Sequence, residues 1–322
     1  MKPKLFSRIF LASSLSVLLL ILGFNLLVDP YDVTGFNLLN IQHKLTRDGR
    51  LQKINRIKEL QSIDNLILGS SRSERLNPQT VTKLLGGYTY TFGIGGANVE
   101  DALGLLLYLE KEKKLPKNIV LCIDFAAFNK DLKTTDGFYK IPEINFLNTQ
   151  NSQQNYPAKL FSIDALRASV KTFKVHLKHI KPDSYIDTNG FLRSKHLTPS
   201  GDIERIRKVA DEYYVFSYKE GKIEFSQERF EYLKRIVSLS KKYNIKLHVM
   251  LTPVHIHLYT KIQNNEILVK KLANFKEKVL TITPYYDAML INENTKNDNN
   301  FEDAVHYNER MGNHLLYELL KK

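Results

Sequence analysis

The sequence predicts an α/β protein. Short apolar runs alternate with amphipathic helices, the run Ile119–Ile123 is apolar without a break, and polar or glycine-rich turns follow the runs. Strand alternating with helix argues for a doubly wound, mostly parallel sheet. A strand that is apolar throughout fits the centre of such a sheet, where helices cover both faces. At 322 residues the chain is long enough for one large core.

The first predicted element is a membrane anchor. Residues Ile9 to Val28 carry no charge, and twenty helical residues at about 1.5 Å each span roughly the 30 Å hydrocarbon thickness. Lys2, Lys4 and Arg8 precede this run, while Asp29 and Asp32 follow it. The positive-inside rule then leaves the N-terminus in the cytoplasm and the bulk of the chain outside. The run is long and no Ala-x-Ala site follows it, which favours an uncleaved anchor over a cleaved signal peptide. The expected division is therefore 1–29, tip and anchor, and 30–322, a single α/β domain.

Within that domain, Asp29-Pro30-Tyr31-Asp32 breaks the helix. Leu51, Ile54, Ile57 and Leu60 sit at helical spacing within 45–62. Asn65–Leu68 reads as the first strand. A helix starts near Asn77-Pro78, with proline in its first turn. Tyr88–Phe92 reads as the second strand. Val99, Ala102, Leu103, Leu106 and Leu107 mark a helix from Asn98, and Ile119–Ile123 is the third strand.

Residues 130–225 break the rhythm with Gly137, Pro142, Pro157, Pro182, Gly190, Pro199 and Gly201. They read as an insertion with helices near 163–179 and 202–213, forming a cap over the site. The rhythm resumes at Ser226 with a helix through Phe230, Leu233, Ile236 and Val237. Ile245–Leu251 alternates apolar and polar residues and reads as a less covered strand. A helix near 260–277, a short strand near 279–283 and a closing helix from the N-cap Asn308 complete the order.

Composition bounds the function. The net charge of +13 suits a surface facing an anionic membrane, and no Lys/Arg cluster with interleaved aromatics marks a nucleic-acid module. The single cysteine, Cys122, allows neither an internal disulfide nor a thiolate metal site. His255 and His257 stand without a nearby carboxylate, so no metal and no cofactor is expected.

Ligands of open parallel sheets bind outside the carboxyl ends of the strands. Ser70-Ser71, Gly93–Asn98, Asp124–Asn129, Thr252–His257 and Asp303–His306 all follow strand ends or precede the last helix. A hydroxyl nucleophile needs a base, the base an orienting partner, and the developing oxyanion needs N–H donors. Ser71, His306 and Asp303 fit the first three roles, and Gly95-Gly96 fits the fourth. Gly-Ser-Ser alone is a common turn and Asp-x-x-His a common helix cap. Their coincidence at strand ends is the signal. Asp124 and His255 are candidate substrate-binding residues there.

These motifs resemble the SGNH (GDSL-like) hydrolase superfamily in its membrane-anchored, extracytoplasmic branch. The resemblance covers roughly residues 60–130 and 226–320, together with the Val-Asp-Pro-Tyr tract after the anchor. Ser71 matches the first-block nucleophile, with Ser70 where the name motif has Asp. Gly96 matches the second-block glycine, and Asp303 and His306 match the last-block Asp-x-x-His. The third block departs: Asp124-Phe125-Ala126-Ala127-Phe128-Asn129 stands where Gly-x-Asn-Asp is expected, and Asn129 is the nearest substitute for the oxyanion asparagine. The resemblance implies a flavodoxin-like three-layer sandwich and serine-based acyl transfer or ester hydrolysis. It implies an acylated glycan or related envelope polymer as substrate, and other polysaccharide-modification proteins as partners. A non-catalytic SGNH-like component of an envelope assembly is the other reading.

Overall fold

The structure is a computed structural model that describes residues 3–35, 38–41, 44, 49–139, 141–147, 160–180, 184–194 and 200–321. It is an α/β protein built on a five-stranded parallel sheet, preceded by an apolar N-terminal helix.

That helix, α1 (Pro3–Val28), has a mean hydropathy of 2.3 over its apolar window and is long and apolar enough to cross a membrane. Its last turn is held by the body. Asn25 is fully buried, donating from Nδ2 to the Leu160 carbonyl at 2.7 Å and accepting from Ser169 Oγ at 2.8 Å. Asp29 ends the helix in the left-handed region, with φ of 41°. Its carboxylate takes the N–H groups of Val33 and Thr34 at 2.7 and 2.9 Å, folding the exit into a tight turn.

Helix α2 (Gly49–Glu59) buries Ile54 and Ile57; residues 45–48 of the expected helix lie outside the described residues. Strand β1 (Asn65–Gly69), α3 (Pro78–Leu85), β2 (Thr89–Gly93), α4 (Val99–Lys111) and β3 (Asn118–Ile123) then follow in the expected alternation. Asn77 caps α3 by accepting the Gln79 N–H at 2.8 Å. Leu66, Ile67 and Leu68 of β1 and Ile119–Ile123 of β3 are all buried, which is why those segments are apolar at every position.

After the insertion come α7 (Gln227–Lys242), β6 (Lys246–Leu251), α8 (Ile256–Gln263), α9 (Glu266–Ile282), β7 (Tyr286–Asp287) and α10 (Glu309–Leu320). The sheet order is β2-β1-β3-β6-β7, with every pair parallel. Helices α4 and α7 pack side by side, as do α3 and α10, and all four contact the sheet or its connections.

Two expectations are corrected near the C-terminus. The helix near 260–277 is two helices, because Asn265 stops the first and caps the second with its side chain on the Ile267 and Leu268 N–H groups. The strand expected near 279–283 is the end of α9. Leu268, Leu272, Phe275 and Val279 form one buried stripe that carries the helix through this β-branched stretch. The strand forms only beyond Pro284, as the two residues Tyr286–Asp287.

The described insertion does not gather into one cap. Helix α5 (Ile163–Leu177) packs against α1. The hairpin β4 (Ser184–Ile186) and β5 (Leu192–Ser194) covers the β2 edge, its turn accepting the Thr91 N–H at Asn189 O, 2.8 Å away. Gly190 has φ of +75°, and a Cβ there would stand 2.3 Å from the Thr91 carbonyl oxygen. Covering an edge strand in this way hides its unpaired backbone groups. Helix α6 (Ile203–Phe216) lies against α8. Pro157, Pro182 and Pro199 of the insertion lie outside the described residues.

Gly312 in α10 lets that helix approach the turn after β1: a Cβ there would meet the Arg75 carbonyl oxygen at 2.2 Å. Gly312→Ala is expected to destabilise the protein by about 1–3 kcal/mol, as overpacking does. Denaturant unfolding of the full-length chain in detergent checks this, and an unchanged midpoint would refute the close approach.

Candidate active site

Strand β1 ends at Gly69, where φ is +150° and a Cβ would lie 2.8 Å from the Cys122 Cβ. Only glycine fits between β1 and β3 in that conformation. The chain then turns at once: Ser73 N–H donates to the Ser70 carbonyl at 3.0 Å, Glu74 N–H to the Ser71 carbonyl at 3.2 Å, and Ser73–Arg75 forms a short 3₁₀ turn. Ser71 is left at the lip of the sheet, partly exposed.

The second half of the site comes from the loop before α10. Phe301 and Tyr307 bridge as antiparallel neighbours, and Glu302 N–H donates to the His306 carbonyl at 2.8 Å. Inside this closed loop, Asp303 Oδ1 accepts the N–H groups of Val305 and His306 at 2.9 and 2.8 Å. Its Oδ2 lies 2.8 Å from His306 Nδ1, and His306 Nε2 lies 2.8 Å from Ser71 Oγ. The buried carboxylate fixes the tautomer: Nδ1–H donates to Asp303, so Nε2 is free to accept from the serine hydroxyl. Burial pushes the Asp303 carboxyl up, but the bond from the His306 ring and the two backbone N–H groups pull it down to about 2. Asp303 is therefore a permanent anion at neutral pH.

Gly96 belongs to the Gly93–Asn98 turn that follows β2. Ile94 N–H donates to the Gly69 carbonyl at 3.1 Å, which ties this turn to the end of β1. Gly96 has φ of +68°, and the turn exposes it and Gly95. Among the described residues, the N–H groups of Ser71 and Gly96 have no internal partner.

Three braces that the sequence pattern did not reveal hold these turns. Helix α2 grips both ends of the glycine turn. Lys53 donates from Nζ to the Gly93 carbonyl, while Arg50 Nε binds Asp101 at 2.7 Å, and Asp101 in turn accepts the Asn98 N–H at 3.0 Å. Burial lowers the Lys53 ammonium to about 8, against the opposing pull of Glu74. Beneath Ser71, Asp124 accepts from Ser70 Oγ and Thr252 Oγ1 and pairs with Arg72 at 3.2 Å, linking the ends of β1, β3 and β6. Finally Arg75 binds Glu302 through two parallel hydrogen bonds of 2.8 Å, clamping the serine turn to the histidine loop.

The structure thus brings Ser71, Asp303 and His306 into one hydrogen-bonded chain. Three other candidates sit elsewhere. Asn129 is fully buried, its Nδ2 donating to the Ser217 carbonyl at 3.0 Å and its Oδ1 accepting from the Asp131 N–H at 3.0 Å. Asp124 lies in the polar layer below the serine. His255 is buried as the cap of α8, with Nδ1 on the His257 N–H and Nε2 2.9 Å from Asp298. Its backbone N–H donates to the Ala304 carbonyl at 2.9 Å, so its contact with the site is through the backbone of the Asp303 loop. Among the described residues no group of three or more His, Cys, Asp or Glu side chains has metal-binding geometry.

Comparison with protein-family models and with curated proteins finds no match to this chain.

Two measurements follow from this geometry. Glu302 is 5% exposed in the clamp, so Arg75→Met strands a buried charge and is expected to cost about 3–5 kcal/mol; Arg75→Met with Glu302→Gln together should recover part of that loss in unfolding experiments. The Asp303 carboxyl drops from 3.8 to about 2 on folding. A lowered carboxylate pKa stabilises above its unfolded value and loses that contribution as pH falls. Stability worth about 2 kcal/mol is expected to disappear between about pH 4 and 2 and to be missing from Asp303→Asn throughout. Equal acid sensitivity of the two proteins would contradict it.

Proposed function

We propose that the chain is a serine-dependent acyl transferase or esterase of SGNH type, acting on an acylated envelope polysaccharide or related polymer. The observation that carries the reading is the continuous path Ser71–His306–Asp303, with both of its hydrogen bonds at 2.8 Å. Counted along the sheet-forming strands, the order is 2-1-3-4-5, the flavodoxin-like arrangement, which supports the same family.

In this reading Ser71 Oγ attacks the acyl carbonyl carbon while its proton passes to His306 Nε2. The carbonyl oxygen becomes an oxyanion that the unpartnered N–H groups of Ser71 and Gly96 receive. Collapse expels the alcohol, which takes the proton from His306, and leaves an acyl-serine. Water or a glycan hydroxyl then gives its proton to His306 and attacks the acyl carbon, and collapse of the second tetrahedral species breaks the acyl–Oγ bond as His306 returns the proton to Ser71. Asp303 stays ionised and steadies the imidazolium. The charge pattern around α1 favours a single-pass anchor, with its short N-terminus inside and the α/β domain on the extracytoplasmic side.

One observation favours the non-catalytic reading. The amide of Asn129 is consumed in the core, so the third block contributes no side-chain donor to the oxyanion. Labelling of the full-length protein with a fluorophosphonate probe separates the two. Reaction is expected to be abolished in Ser71→Ala and slowed by about 10³-fold or more in Asp303→Asn, where the ring loses its orienting anion. No labelling of the unaltered protein, or undiminished labelling of Ser71→Ala, would sink the catalytic reading. Acyl release measured with and without a glycan acceptor then distinguishes transfer from hydrolysis.

A further inference from the structure

Helix α5 stands apart from the rest of the insertion. One side of it, Ala165, Ser169 and Thr172, is buried. That side meets the exit end of α1 through the Asn25–Ser169 hydrogen bond at 2.8 Å and an edge-on Phe24–Phe173 contact with ring centroids 5.7 Å apart. The opposite side carries an apolar line: Ile163, Val170 and Leu177 are seven residues apart and so fall on one stripe. Ile163 and Leu177 are 71% and 60% exposed. Phe161 and Ile180, just beyond the two ends of the helix, are also exposed apolar residues.

Beside that line runs a basic one. Arg167, Lys171, Lys174 and Lys178 are spaced four, three and four residues apart and are all exposed. The only carboxylate among them is Asp164, 3.6 Å from Arg167. Among the described residues Lys171, Lys174 and Lys178 have no acidic partner. An exposed apolar line costs free energy in water, and a row of unpaired cations beside it is repulsive. Both costs are relieved at one kind of surface, where acyl chains meet anionic headgroups.

We propose that α5 is an interfacial helix that lies on the anionic lipid surface from which α1 emerges. Ile163, Val170 and Leu177 enter the acyl boundary, and Arg167, Lys171, Lys174 and Lys178 bind lipid phosphates. The location argues for lipid over a protein partner. The helix is packed on the last turns of an element long and apolar enough to cross a bilayer, so insertion of α1 delivers α5 to the headgroups.

The chain contains no tryptophan, so a single one reports unambiguously. Full-length Val170→Trp and, separately, Leu20→Trp are reconstituted in nanodiscs of phosphatidylcholine alone or mixed with phosphatidylglycerol, each with brominated acyl chains. Val170→Trp is expected to be quenched, about twofold or more strongly in the anionic discs at low salt. Combining it with Lys171→Gln, Lys174→Gln and Lys178→Gln should remove that anionic preference while leaving Ser71 labelling unchanged. Leu20→Trp is expected to be quenched in both lipids. If Leu20→Trp is quenched and Val170→Trp is not, or if the lysine variants keep the full anionic preference, the proposal fails. Burial of Val170→Trp in native membranes but not in protein-free lipid discs overturns it in favour of a protein partner. Failure of Leu20→Trp to quench removes the membrane itself, and the proposal with it.

Discussion

The paired hydrogen bonds between Arg75 and Glu302 join segments 227 residues apart, and the arrangement of the site hangs on that join. Ser71 belongs to the first βα turn and His306 to the loop before the final helix. Neither turn is long enough to find the other by itself. The fork of the guanidinium matches both carboxylate oxygens, which fixes distance and orientation at once. Glu302 is next to Asp303, and Arg75 closes the turn that begins at Ser71, so the clamp sets the register of nucleophile and base. Gly312 adds to it by letting the last helix settle against the Arg75 carbonyl.

Below the clamp, polar groups occupy a position where a parallel sheet usually keeps apolar ones. Asp124, which follows β3, takes a hydrogen bond from Ser70 and an ion pair from Arg72, both in the turn after β1, and a hydrogen bond from Thr252 after β6. A buried carboxylate is tolerable only when satisfied in this way. This one carboxylate thus ties the ends of β1, β3 and β6 together. The glycine turn is held likewise from behind by Lys53 and Arg50, so the backbone N–H groups it exposes are set by buried charge and not by a free loop.

How much of this was legible in the sequence depends on where each residue's constraint lies. Strands β1 and β3 were readable because both their faces are covered, which forces every position to be apolar. Strand β7 was not, because two residues carry no period, and the β-branched stretch before it mimicked a strand while serving as the last turns of α9. Ser71, Asp303 and His306 announced themselves as short motifs at strand ends. Arg50, Lys53, Arg75 and Glu302 gave no such signal. A charged residue in an amphipathic segment reads as solvated, and only the tertiary fold reveals that its partner lies far away in the chain. Asn129, Asp124 and His255 show the converse: polar residues at suggestive positions whose bonds are spent internally.

The exit of α1 has one more consequence. Asn25 is bonded on both sides to the α5 region, and Asp29 closes the following turn on Val33 and Thr34. A domain hung from a flexible tether sweeps a hemisphere, and its encounters scale with tether length. A domain fastened at the last turn of its own stalk cannot. In a bilayer, the Ser71 hydroxyl would keep one height and one bearing while the molecule diffuses sideways. It would patrol a thin stratum parallel to the surface, and material outside that stratum would have to be brought to it.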